Sequence, residues 1–329
     1  MNNSNVYRLY KALSVTSDQV AYYDDGVGAD ASGMDRLMQG AFGQNLIQKI
    51  LDAYTKIAHV YLPGDEIYLF GFSRGAYTAR SLGGMIANCG LPSGSFTDDC
   101  VTQAFAAYRD PVNRASILAS LAPCGLADAT IRMIGVWDTV GSLGIPAIFG
   151  NIDQKQFGFL DTGLHPDVKN AYHCLAIDEV RAQFPPTLWT SDPAPGQTIE
   201  QVWFSGCHCD IGGGNPAAGG VDDTTRLSDI SMGYMVSKAQ ALGLTFDPVA
   251  AAQYGALPAK YALDAIHESW APQAGPQHWR TIAPGSKVAN SVAIRAQYAL
   301  TYAPNNLTLS DNILDDTYTQ VTLVDEDVI

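Results

Sequence analysis

Basic residues are scarce in this 329-residue chain: 19 Lys and Arg stand against 33 Asp and Glu, a formal net charge of −14. A protein that grips nucleic acid needs a Lys/Arg face to neutralise phosphates, and no window here supplies one. Long uncharged runs are missing too. The longest apolar stretch, Ile131 to Gly150, is broken by Arg132 and Asp138, well short of the ~18 to 20 residues a transmembrane helix needs. The N-terminus, Met1-Asn2-Asn3-Ser4-Asn5, has neither a basic start nor an apolar core. No secretory signal is legible, so synthesis in the cytoplasm is expected; export without a cleaved signal leaves no trace of this kind. The six cysteines follow no repeating frame, which suits a reducing compartment.

Metal and cofactor signatures are equally thin. Cys207-His208-Cys209-Asp210 contains ligand types, but no second Cys or His pair stands at ligand spacing. The glycines at 212 to 214 lack the lysine and hydroxyl of a phosphate loop, and no dinucleotide fingerprint occurs, so no cofactor is expected.

What is present is apolar substance. Hydrophobic residues make up 47% of the chain and charged ones 16%, enough to bury a large core and too apolar for disorder. The length allows two domains, although α/β folds of this size often form one with insertions.

Short β-rich runs alternate with longer helical patterns, the sign of a mostly parallel sheet with helices on both faces. Glu66–Phe72 follows the turn Pro63-Gly64-Asp65 and reads as a buried strand. Thr130–Trp137 and Ile199–Ser205 read the same way, and Gln19–Tyr23 is a weaker fourth. Leu37–Tyr61 and Leu227–Leu242 read as amphipathic helices. Ala171–Ala176, which contains His173, also follows a helical pattern, whereas Val249–Gly285 has no clear period and reads as an irregular cap or edge.

Gly71-Phe72-Ser73-Arg74-Gly75 closes the strongest strand and runs straight into helix-compatible sequence. A G-x-S-x-G turn in that context lifts a serine hydroxyl above the sheet on strained backbone, with the flanking glycines removing Cβ atoms that would clash. It also aims the next helix's N-terminus at the hydroxyl, so the Arg74 backbone N–H is a candidate oxyanion donor. The plainer reading is a tight turn with a solvated serine. A nucleophilic serine needs a base, and the base needs a carboxylate to orient it. On an α/β-hydrolase sheet these follow in the order Ser, Asp or Glu, His, each at a strand's C-terminal end. Asp138, closing Thr130–Trp137, and His208, closing Ile199–Ser205, fit both order and position. Asp138 also suits an ordinary turn aspartate, and His173 remains the alternative base.

Several long blocks resemble one family: PGDEIYLFGFSRGAYTARSLGGMI, IRMIGVWDTVGSLG, AYHCLAIDEVRAQFPPTLW and WFSGCHCDIGGG followed by LSDISMGYM. NVYRLYKAL, YYDDGVG, QGAFGQNL and SVAIRAQYALTYAPNNL extend the likeness over nearly the whole chain. The family is that of α/β hydrolases including phospholipase effectors of type VI secretion. The resemblance implies one α/β-hydrolase domain over residues 1–329, acting on carboxylic esters, in some members the acyl esters of phospholipids. It implies Ser73 as nucleophile, Asp138 as acid and His208 as base. It also implies a secretion-machine or immunity partner.

Two departures stand against it. The family's usual first strand and Asp-Gly-Thr turn, expected just before NVYRLY, are missing, and with them the loop that supplies a second oxyanion donor; Asp24-Asp25-Gly26-Val27-Gly28 is a candidate substitute. Near the end, Ala289-Asn290-Ser291-Val292 lacks a histidine the family often carries before Ser-Val. The alternative expectation is therefore a weakened or inactive relative serving as a binding or interaction module.

Overall fold

The computed structural model describes residues 4–25, 42–93, 96–140, 163–215, 226–272 and 275–325, of which 42–45 by backbone alone. Its centre is a six-stranded sheet: β1 (Ile67–Phe72), β2 (Ile131–Trp137), β3 (Asn170–Ala176), β4 (Thr198–Phe204), β5 (Lys287–Ala289) and β6 (Thr319–Val321). The strands lie side by side in chain order, and every neighbouring pair is parallel. Parallel neighbours need crossovers long enough for helices, and covering both faces explains why the strands read as continuous apolar runs.

The helices that position the site are α1 (Asn5–Ala12), α2 (Phe42–Val60), α3 (Arg74–Cys89), α4 (Asp98–Arg109), α5 (Arg114–Ser120), α6 (His208–Gly212) and α7 (Leu227–Ala241). Alternate side chains of β1 separate two hydrophobic cores. Ile67 and Leu69 join the core formed with α2, α3 and α4, while Tyr68, Phe70 and Phe72 pack on the one formed with α1 and α7. The arrangement is α/β-hydrolase-like.

β1 forms one edge of the sheet, and no strand precedes it among the described residues. Three of the strands expected from sequence appear with their ends moved by a residue. Gln19–Tyr23 does not form a strand; it contributes a single bridge between Thr16 and Gln19. Ala171–Ala176 is strand β3, not helix. All six residues are buried, and the backbone pairs with a strand on each side; that tertiary setting overrides a weak local preference. The helix read from Leu37 corresponds to α2, residues 37–41 lying outside the described residues.

Cys100 at the start of α4 and Cys124 form a disulfide with Cα atoms 6.0 Å apart, where the sequence reading expected reduced cysteines. The bond staples α4 to the turn after α5 across 24 residues. Closing a loop of that size restricts the unfolded chain by ~3 kcal/mol, so reduction should lower Tm by roughly 5 °C in a chain of this length. Thermal unfolding with and without dithiothreitol, with mass spectrometry to confirm reduction, checks this; an unchanged Tm in the reduced protein removes the bond's stabilising role.

Candidate functional site

The C-terminal ends of β1 and β2 are in register, Phe72 opposite Trp137, so Ser73 and Asp138 leave the sheet side by side. The Ser73 backbone N–H donates to the Trp137 carbonyl at 3.0 Å, tying the two turns together. Ser73 takes φ 58° and ψ −121° before α3 begins at Arg74. Non-glycine residues rarely occupy that region, and strain of this kind is what a sharp strand-to-helix turn requires. Gly71 permits it: a Cβ there would lie 2.2 Å from the Gly75 carbonyl oxygen. Gly75 contributes differently from expectation, since a Cβ on it would meet nothing within 4 Å. Arg74 occupies the first position of α3, so its amide belongs to the positive end of the helix dipole.

Asp138 also has positive φ, 38°, and is fully buried. Its Oδ2 lies 2.6 Å from His208 Nδ1. Its Oδ1 accepts the Ala176 backbone N–H at 3.1 Å. Arg280 approaches from the irregular segment and donates Nη1 to Oδ1 at 2.6 Å and Nη2 to Oδ2 at 2.9 Å. Burial alone would raise the Asp138 carboxyl, but the Arg280 charge and the His208 hydrogen bond outweigh it and hold the group well below the usual carboxylate range.

His208 opens α6 just beyond β4, and 4% of it is exposed. Its ring packs 4.5 Å from Phe72, the residue before Ser73, and edge-on to Phe184 at 5.1 Å. The His208 backbone N–H donates to Glu179 at 3.3 Å, and Glu179 is itself paired with Arg181 at 2.7 Å. Gly212 lets the loop close this tightly, because a Cβ there would fall 2.0 Å from the Phe72 ring. At the same end of α6 the Ile211 carbonyl accepts the Asn5 side chain at 2.9 Å, which joins α1 to the histidine helix.

His173 sits elsewhere. It lies within β3 with Nε2 accepting the Thr139 N–H at 3.0 Å and Nδ1 facing Gln201 at 3.3 Å, so both ring nitrogens are engaged. Burial and the nearby Arg80 charge push its imidazole down to about 3, which keeps it neutral. The thiols flanking His208 are inert at neutral pH: burial pushes Cys209 up to about 12 and holds Cys207 well above its ordinary value. Among the described residues no group of three or more His, Cys, Asp or Glu side chains is arranged to hold a metal ion. Likewise, no helix among them is long and apolar enough to cross a membrane.

Three features escaped the sequence reading. Arg280 lies 142 positions from its partner Asp138 in a segment without pattern. Glu179 and Phe184 frame His208 from the loop after β3, and nothing in their spacing marks them. A cleft of about 230 Å³ opens against the same loop, lined by Phe184, Pro185, Pro186, Trp279 and Arg280. Of the candidate oxyanion loop, Asp24 and Asp25 are described, and residues 26–28 lie outside the described residues.

Residues 1–238 match the family model described as T6SS, phospholipase effector Tle1-like, catalytic domain. The chain is 30% identical over 216 residues to the uncharacterised protein YEL023C of Saccharomyces cerevisiae, covering 58% of this chain and 30% of that protein. Among solved structures, an uncharacterised protein from Pseudomonas aeruginosa is similar with a TM-score of 0.36 and 16% identity, over 67% of this chain and 30% of that one. The Tle1 effector bound to the VgrG spike of the type 6 secretion system gives a TM-score of 0.34 and 22% identity, over 66% and 41%. The chain thus spans less than half the length of each of these relatives.

Proposed function

The chain belongs to the family of Tle1-like phospholipase effector catalytic domains of type VI secretion, and from that membership and the site geometry we propose that it is a serine hydrolase of carboxylic esters. The observation that carries the reading is the short Asp138–His208 contact beside a strained Ser73. Ser73 attacks the ester carbonyl while His208 takes its proton through Nε2. Asp138 holds Nδ1–H and thereby fixes the tautomer that leaves Nε2 able to accept. The Arg74 amide stabilises the oxyanion, the alcohol leaves with the proton from His208, and water then releases the acyl group by the same steps.

The substrate class proposed is an acyl ester, phospholipids included. The cleft beside Phe184 and Trp279 is mostly carbon-lined, and its wall residue Phe184 packs against the His208 ring, which suits an acyl chain. A secretion-machine partner is proposed on family membership alone. The second reading, a weakened relative kept for binding, rests on β1 being an edge strand among the described residues, since a loop after a preceding strand would carry the second oxyanion donor.

Treatment with a fluorophosphonate probe followed by peptide mapping separates the two. The expected result is a single adduct on the peptide holding Ser73. Failure of the native protein to react, or an adduct on another residue, would falsify the hydrolase reading.

A further inference from the structure

The carboxylate of a serine-hydrolase triad ordinarily faces its histidine with uncompensated negative charge, which steadies the imidazolium as it forms. Here that charge is met before the histidine takes part. Arg280 is 4% exposed, and both of its terminal nitrogens are doubly used: Nη1 donates to Asp138 Oδ1 and the Ala176 carbonyl, Nη2 to Asp138 Oδ2 and the Phe184 carbonyl. The planar fork matches the carboxylate oxygen for oxygen, a fit that an ammonium group cannot reproduce. It therefore fixes two things that touch His208 from different sides: the carboxylate on Nδ1, and the backbone of Phe184, whose ring flanks the imidazole.

We propose that Arg280 is a positioning residue of this site, locking Asp138 in the orientation that holds His208 and offsetting its charge, so that Ser73 is activated at lower pH than an uncompensated Asp–His pair allows.

The other groups facing His208 and Asp138 do not duplicate this effect. Glu179 accepts the His208 backbone N–H, not the ring, and is neutralised by Arg181. His173 stays neutral through burial and Arg80. Burial holds Cys174 and Cys209 as thiols. A buried ion pair is also a poor source of net stability, since desolvating two charges consumes most of their attraction. Geometric control of the site is the stronger account of why Arg280 is there.

The inference rests on the hydrolase reading, and its test keeps the two apart. The second-order rate of fluorophosphonate labelling is measured from pH 4 to 9 for wild type, R280M and R280K, with circular dichroism to confirm folding. Without the cation, the imidazolium forms more readily, so the acid limb for R280M should move up by about one pH unit. Its plateau rate should fall ~10- to 100-fold through misorientation of the pair. R280K retains charge without the fork, so its acid limb should stay with wild type while its plateau falls at least tenfold.

A folded R280M whose acid limb and plateau match wild type overturns the inference while leaving the hydrolase reading intact. If R280M does not fold, R280K decides: a plateau equal to wild type overturns the proposal, and a lowered plateau with an unmoved acid limb supports it. A wild type that never labels overturns the hydrolase reading, and this inference with it.

Discussion

Replacing Ser73 by alanine should abolish ester turnover while leaving the fold untouched. Removing a triad nucleophile costs ~10⁶ in kcat where the nucleophile acts, with ~10³ to 10⁴ over the uncatalysed rate surviving through the oxyanion site and binding. Little structural loss is expected. The Ser73 side chain makes no capping hydrogen bond to α3, and alanine at φ 58° suffers much the same backbone strain as serine. The expected pattern is hydrolysis of a p-nitrophenyl ester at background, no fluorophosphonate adduct, and a Tm within about 1 °C of wild type, as for a substitution that removes no packing. Retained turnover in a folded Ser73→Ala protein places the chemistry on some other residue. The Tm control matters because a general loss of structure would give the same kinetic result for an uninteresting reason.

The strands that lead to Ser73 and Asp138 are legible because a parallel sheet covered on both faces demands uninterrupted apolar sequence. IYLFGF and IRMIGVW supply it without a polar break beyond Arg132. β3 shows where that logic fails. Its sequence, NAYHCLA, contains no β-branched residue; His173 finds its partners in Gln201 and the Thr139 N–H, and Asn170 in the Arg132 carbonyl, all distant in sequence. Local propensity had nothing to respond to, because strand formation there is settled by neighbours distant in sequence.

The same distinction divides the site. Ser73 and Asp138 directly follow the ends of β1 and β2, and His208 comes four residues after β4 at the start of α6, in segments whose turn chemistry can be read locally. Arg280 ends nothing and sits in an aperiodic segment, so its hold on Asp138 exists only once two remote pieces of chain have met. The Cys100–Cys124 bond is hidden for the same reason: 24 residues separate the two, in no frame that distinguishes them from the four free cysteines.

Asp138→Asn should be the most damaging conservative substitution in the protein, acting on rate and stability together. Each carboxylate oxygen accepts two donors: Oδ1 from Ala176 and Arg280, Oδ2 from His208 and Arg280. An asparagine must turn its NH2 toward one of these pairs. If it faces His208, Nδ1 has to become an acceptor, the proton moves to Nε2, and the imidazole can no longer take a proton from Ser73. The wrong tautomer costs ~10⁴ in kcat in a serine-hydrolase triad. If it faces the Oδ1 side instead, two donors confront a donor within the core. In either pose Arg280 stays buried with its counter-charge gone, a loss worth about 3 to 5 kcal/mol. That corresponds to a fall in Tm of roughly 4 to 7 °C for 329 residues. The pH dependence has a definite sign. Because the folded state holds the Asp138 carboxyl below its ordinary range, its contribution is present above about pH 4 and fades as pH falls further. The Tm gap between wild type and Asp138→Asn should therefore be constant from pH 8 to 5 and narrow below about pH 4, as long as both remain folded. Turnover within tenfold of wild type would exclude Asp138 as the residue that orients His208, and a Tm gap that widens in acid would contradict the charge assigned to it.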